Sequence, residues 1–281
     1  MKKLILFALL FLFNIQLVFA QSPVIVASNI HIAKRKAQNI TAILGAFPPE
    51  VALIHDRILQ KKELVFQNTR FTTGLLNGRR VVLAQTGMGK VNAAITTALL
   101  IEHFSPREVL FTGIAGGVDP DLSPGDLVIG SLVAYHDYGT ITPDSMLLRS
   151  TRNPVSMQEN PIYFPSTPSL ISLAQQVSGK LVLHKIGERS PKVVTGTIVT
   201  GDVFVSSRKA TQYMHQKMNA EATEMEGAAI AQTCWQQKVP FVVIRSLSDD
   251  AGNKASADVA SFYKIAAENS AAMIIAMVAR L

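Results

Sequence analysis

The stretch Val109-Leu110-Phe111-Thr112-Gly113-Ile114-Ala115-Gly116-Gly117 decides the fold. Its first half is a short apolar run without in-out alternation, so both faces of the strand it predicts must be covered, as in a sheet with helices on both sides. The glycines that follow predict a tight turn. They also remove the Cβ atoms that would keep a small ligand away from the backbone. A dinucleotide fingerprint would sit in this place, but the segment holds no G-x-G-x-x-G and runs into Asp119-Pro120-Asp121, a turn instead of a helix. A structural turn and a ligand-approach site both remain open on these residues alone.

Working outward, the same kind of run recurs. Ile40 to Ala46 predicts a buried strand, followed by Phe47-Pro48-Pro49-Glu50. A helix then begins near Pro49, because proline fits a first helical turn and Val51, Leu53 and Ile54 supply an apolar face. Glu50 thereby lies at a strand-to-helix junction. Leu64 to Leu76 and Arg80 to Gln85 predict a hairpin around Asn77-Gly78. Thr86-Gly87-Met88-Gly89-Lys90 leads into a helix over Val91 to Phe104. Further strands are expected at Leu127–Ala134, Val193–Thr200, Thr223–Met225 and Phe241–Leu247, and further helices at Ser169–Val177, Ser207–Met218, Gly227–Gln237 and Ala260–Arg280. Thr140 to Pro168 reads as loop. Strands and helices interleave without linker or repeat, which gives a single α/β domain over residues 39–281 around a mostly buried central sheet. Loops at the strand ends should carry the chemistry.

Composition narrows the classes. Of 281 residues, 48% are apolar and 17% charged, which excludes a disordered, collagen-like or disulfide-stapled chain. The single Cys234 excludes an intramolecular disulfide and a zinc site built from several thiolates. Residues 1–20 read as a cleaved signal peptide: Lys2 and Lys3, an apolar run from Leu4 to about Leu12, and Val18-Phe19-Ala20 before Gln21. Downstream there is no run of about 18 uninterrupted apolar residues, so a periplasmic or secreted protein without a stable membrane anchor is expected. Residues 21–38 read as a basic extension ahead of the domain. Cleavage removes Lys2 and Lys3 from 27 basic residues and leaves 25 against 20 acidic, a net of +5. The basic residues are scattered apart from Lys34-Arg35-Lys36 and are not interleaved with aromatics, so no nucleic-acid partner is expected.

Gly87-Met88-Gly89-Lys90 invites a P-loop reading, but the positions that require glycine and Ser or Thr hold Ala84 and Val91. That reading is rejected. Acidic residues at strand ends are more informative. Glu224-Met225-Glu226 precedes the small residues Gly227-Ala228-Ala229, and a charge beside a buried segment is costly unless paired or employed. Ser248-Asp249 ends the apolar run from Phe241, where α/β sites sit. Helix capping and ordinary turns are the alternatives. Asp202, in Thr200-Gly201-Asp202-Val203-Phe204, poses the same choice.

Taken in order, Ile43-Leu44-Gly45-Ala46 with Glu50, Thr86 to Val91, Thr112 to Gly117, Gly125-Asp126, Tyr135-His136-Asp137, Thr200 to Phe204, Glu224-Met225-Glu226 and Arg245 to Asp249 resemble the 5'-methylthioadenosine/S-adenosylhomocysteine nucleosidases of the nucleoside phosphorylase and hydrolase superfamily. The resemblance runs from about Ile40 to Leu281. It implies a nucleoside phosphorylase-like fold with a central mixed, twisted sheet flanked by helices, a homodimer, and cleavage by water of the bond between adenine N9 and ribose C1'. By position, Glu50 resembles the carboxylate that activates water, and Asp249, assisted by Ser248, the acid that protonates adenine N7. Glu226 resembles the carboxylate on the ribose hydroxyls. Phe204 resembles the residue stacked on the purine, with the Val205 backbone reading its edge, and Met225 and Phe262 the walls of the ribose and 5' site. Arg245 corresponds to an arginine that helps hold the water. No metal or cofactor is implied. One departure is Ile114, where the bacterial nucleosidases carry a hydroxyl residue beside the water; isoleucine cannot make that hydrogen bond.

Two rivals stand beside hydrolysis. A purine nucleoside phosphorylase would share the fold but needs arginines and hydroxyls for an anion, and Val109 to Thr112 carries no arginine. A secreted, catalytically weak protein could use the same fold to bind purines or polyanions, since fold does not imply function.

Overall fold

The computed structural model describes residues 37–143, 146–186, 188–249 and 259–281. The predicted leader and residues 21–36 of the extension lie outside them. Apolar runs become parallel strands: β1 (Thr41–Gly45) lies between β4 (Arg79–Gln85) and β5 (Glu108–Phe111), and β5 pairs in parallel with β13 (Phe241–Asp249). Strands β1, β5 and β13 are fully or almost fully buried, and β4 is buried over Val81 to Ala84, as their Val, Ile and Leu content requires. Helices α1 (Pro48–Arg57), α2 (Lys90–Phe104), α3 (Pro168–Ser178), α4 (Arg208–Met218), α5 (Gly227–Gln237) and α6 (Val259–Val278) flank the sheet. One apolar cluster joins α2 and α5 to one face through Leu100, Phe104, Ile230 and Cys234. Another joins α1, α3 and α6 to the other through Ile54, Leu170 and Ile274.

The sheet is mixed and contains β2 (Leu59–Phe66), β3 (Thr69–Leu76), β6 (Ile114–Gly117), β7 (Leu127–Tyr135), β10 (Tyr163–Pro165), β11 (Val193–Thr200) and β12 (Ala220–Glu224) besides those above. Its order is β10-β7-β11-β12-β6-β13-β5-β1-β4-β3-β2. A further antiparallel pairing of β13 with β7 closes β7, β11, β12, β6 and β13 into a ring. The carboxyl ends of β1, β5, β11, β12 and β13 consequently converge, and their loops build one cleft.

Three expectations change in the structure. The run Leu64 to Leu76 is two strands, because Gln67 and Asn68 both take positive φ (42° and 62°) and turn the chain. The Asn77-Gly78 turn after it is present, at φ 50° and 75°. Gly116-Gly117 belongs to strand β6 and not to a turn: its main chain pairs with β12 on one side and β13 on the other, so side-chain propensity is not what makes it extended. The loop Thr140 to Pro168 contains the hairpin of β8 (Gly139–Ile141) and β9 (Met146–Leu148), as well as β10.

Candidate active site

The cleft, of about 250 Å³, is walled by residues at the ends of β1, β4, β11, β12 and β13, by β6, and by Glu50 of α1 and Tyr263 of α6. Glu50 enters from the first turn of α1 and is 2% exposed. Its Oε2 accepts from the Ala46 and Phe47 backbone N–H groups, and its Oε1 accepts from the Ile114 N–H at 2.8 Å. Burial raises its pKa above the usual carboxylate value, against the pull of Arg245 and these N–H groups. The strand-to-helix junction read from Pro48-Pro49 is what aims it inward. Its neighbour Gly113 is required: a Cβ there would collide with both the Glu50 carboxylate and Arg245 Nη1. Ser270 of α6 fixes that turn, its Oγ lying 3.0 Å from the Gly113 N and 2.7 Å from Thr112 Oγ1.

Glu226 sits at the N-terminus of α5, 5% exposed, and accepts from the Gly89 N–H at 2.8 Å. The glycine loop rejected as a phosphate cradle therefore serves a carboxylate of the protein, with Gly87 and Gly89 at φ 79° and 90°. Lys90, which follows it, is bound to Asp137 at 2.7 Å, and its N–H donates to Asp202 at 2.8 Å. Asp202 thus ties α2 to the loop after β11. Burial, and then the negative charge of Glu224, push the Glu226 carboxyl up to about 8.

Strand β13 delivers Ser248 and Asp249 to the cleft, with Ser248 Oγ 2.8 Å from Asp249 Oδ2 and 3.3 Å from the Ala115 carbonyl. Phe204 and Val205, after β11, and Met225, between β12 and α5, also line the cleft, and Phe204 is 73% exposed. Ile114 lines it too. Two residues fall elsewhere. Arg245 is wholly buried within β13, off the cleft wall, stacked on the Phe111 ring at 3.8 Å and paired with Glu224 at 2.6 Å. Phe262 is not part of the wall; the adjacent Tyr263 of α6 is, and burial, then the charge of Asp249, raises its phenol pKa.

Glu224 is the functional-site residue that sequence reasoning passed over. It receives Thr200 Oγ1, the N–H groups of Glu226 and Gly227, and Arg245 Nη2. The pair Glu224-Met225-Glu226 was the available signal, but only the turn of the chain at Met225 distinguishes the two carboxylates. The cleft wall holds Glu50, Glu224, Glu226 and Asp249 and, among the described residues, no Lys, Arg or His. Nor do the described residues contain a cluster of three or more His, Cys, Asp or Glu suited to a metal.

A cleft of carboxylates and apolar walls at converging strand ends matches a known class. The sequence profile of the phosphorylase superfamily matches residues 40–279. The 5'-methylthioadenosine/S-adenosylhomocysteine nucleosidase of Tolumonas auensis is 39% identical over 240 residues, 85% of this chain and 98% of that protein. The crystal structure of the nucleosidase of that name from Neisseria meningitidis, in complex with methylthio-immucillin-A, superposes with a TM-score of 0.75 at 37% identity, covering 87% of this chain and all of that one. The corresponding enzyme of Colwellia psychrerythraea, in complex with adenine, gives the same TM-score and identity over 87% of this chain and 97% of that one. The chain belongs to the phosphorylase superfamily and, within it, to the 5'-methylthioadenosine/S-adenosylhomocysteine nucleosidases.

Proposed function

We propose that the protein hydrolyses the N-glycosidic bond of adenine nucleosides such as 5'-methylthioadenosine and S-adenosylhomocysteine, releasing adenine. The observation that carries this reading is that Glu50, Glu226 and Asp249 all line one cleft. Adenine is a poor leaving group as an anion, and the ribosyl carbon becomes cationic as the bond breaks. Asp249 delivers a proton to N7 as the C1'–N9 electron pair moves into the purine. Glu50, its basicity raised by burial, takes a proton from the water that adds to C1'. Glu226 receives the ribose hydroxyls, and the carboxylates together stabilise the developing positive charge. Phe204 provides an exposed aromatic face for the purine, and Met225 and Tyr263 provide apolar wall.

Phosphorolysis is disfavoured by the same wall. A phosphate would meet carboxylates and no cation, while the nearest guanidinium, Arg245, is buried and engaged by Glu224. Adenine release with and without phosphate, with identification of the sugar product, tests the reading. Two further proposals belong to it. A homodimer is supported by the exposed apolar residues Val91 and Ile95, one turn apart at the start of α2, and Met88 in the loop just ahead of it; light scattering of the purified protein tests it. Export to the periplasm or medium rests on residues 1–20, and an N-terminus at Gln21 in the natural protein tests it. Among the described residues no helix is long and apolar enough to cross a membrane.

A further inference from the structure

Three carboxylates, Glu50, Glu224 and Glu226, surround a single guanidinium, that of Arg245, and the guanidinium is not shared evenly. Arg245 Nη2 lies 2.6 Å from Glu224 and 3.7 Å from Glu226, and its Nε and Nη1 have no protein hydrogen-bond partner. Glu224 holds the cation because it is itself fixed by Thr200 and by the first N–H groups of α5. We propose that Glu224 is a positioning residue that sets the protonation state of Glu226, by adding a buried negative charge next to it and by drawing Arg245 away from it.

The groups facing Glu226 from each neighbouring element support this. From β12 comes Glu224, from β13 Arg245, from α1 the Glu50 carboxyl, and from the loop ahead of α2 the Gly89 N–H. Lys90, the first residue of α2, is committed to Asp137 at 2.7 Å and offers Glu226 no compensation. With one cation for three buried carboxylates, burial and the Glu224 charge push the Glu226 carboxyl up to about 8, so it keeps its proton at neutral pH. Ribose hydroxyls both donate and accept, but two neighbouring hydroxyls can donate charge-assisted hydrogen bonds to both oxygens only when the carboxyl is ionised, so the ionised form binds them more strongly. The kinetic part of the proposal rests on the nucleosidase reading; the titration itself does not.

The test is a pH titration of protein labelled with ¹³C at the glutamate carboxyls, read by NMR. Glu226→Gln assigns the Glu226 signal, and Glu224→Gln provides the comparison. The wild-type signal should titrate around 8. In Glu224→Gln the midpoint should fall by at least about one pH unit, since a like charge is removed and Arg245 is freed to approach. The rise of kcat/KM with pH on 5'-methylthioadenosine should move down with it, which a merely structural role would not produce. A Glu226 midpoint unchanged in folded Glu224→Gln overturns the proposal. If that variant does not fold, Glu224→Asp, which keeps the charge but draws it back from the guanidinium, should shift the midpoint the same way by less, and an unmoved midpoint there overturns it equally. A shifted midpoint in a protein that turns over no nucleoside supports the role of Glu224 and counts against the nucleosidase reading.

Discussion

The backbone N–H of Ile114 donates to Glu50 Oε1 at 2.8 Å, so the residue that departs from the family pattern still positions the base through its main chain. Its side chain lies on the cleft wall, where the resemblance implies a hydroxyl. Ile114→Ser keeps the backbone contact and adds a hydroxyl beside Glu50. A neutral hydrogen bond of about 0.5 to 1.5 kcal/mol, expressed in the transition state, corresponds to a rate gain of up to roughly tenfold. Single-turnover hydrolysis of 5'-methylthioadenosine should therefore accelerate, while Tm falls modestly from lost apolar packing. A slower chemical step in a stably folded Ile114→Ser protein would contradict this.

Asp249→Asn should fold normally and lose about 10²- to 10⁴-fold in turnover, because an amide can hydrogen-bond adenine but cannot deliver a proton to N7. Adenine release, compared with the melting curve of the same preparation, checks both halves.

Gly113→Ala should be damaging out of proportion to its size. The added methyl group would collide with the Glu50 carboxylate, which three backbone N–H groups hold, and with Nη1 of Arg245, a buried side chain anchored through its Nη2 by Glu224. Overpacking of this kind costs about 1 to 3 kcal/mol. Displacing Glu50 should lower kcat as well, so a Tm drop with unchanged kcat would show that Glu50 is not held by this contact.

Stability should depend on pH in a direction set by Glu226. Its carboxyl is raised from 4.5 to about 8 in the folded protein. Between those values the native state keeps a proton that the unfolded chain has lost, so unfolding becomes easier as pH rises through this window. Burial of Glu50 acts with the same sign. The contribution is on the order of a few kcal/mol across the window. Wild-type Tm should fall from about pH 5 to about pH 8, and Glu226→Gln should flatten the slope; an equal slope in the two proteins would refute the assignment.

The sequence made most of the framework legible for a physical reason: short β-branched apolar runs bounded by glycine or acidic residues suit strands buried in a sheet, and Val193–Thr200 appears as a strand and Gly227–Gln237 as a helix with the expected bounds. What was hidden depends on the main chain and on helix phase. The turn at Gln67-Asn68 lacks the glycine or proline that normally marks one. Strand β6 exists through its pairing with β12 and β13. The phase of α6 puts Tyr263 on the cleft wall instead of Phe262. That Arg245 lies behind the cleft, held by Glu224, follows from the burial of β13 on both faces, which a local reading of Arg245-Ser246-Leu247-Ser248-Asp249 does not reveal.

The most direct test of the central claim is to incubate the protein with 5'-methylthioadenosine, with and without inorganic phosphate, and to identify both products by mass spectrometry. A wall of four carboxylates without a cation predicts adenine and free 5-methylthioribose at a rate that phosphate does not change. A phosphorylated sugar formed only when phosphate is present would contradict hydrolysis.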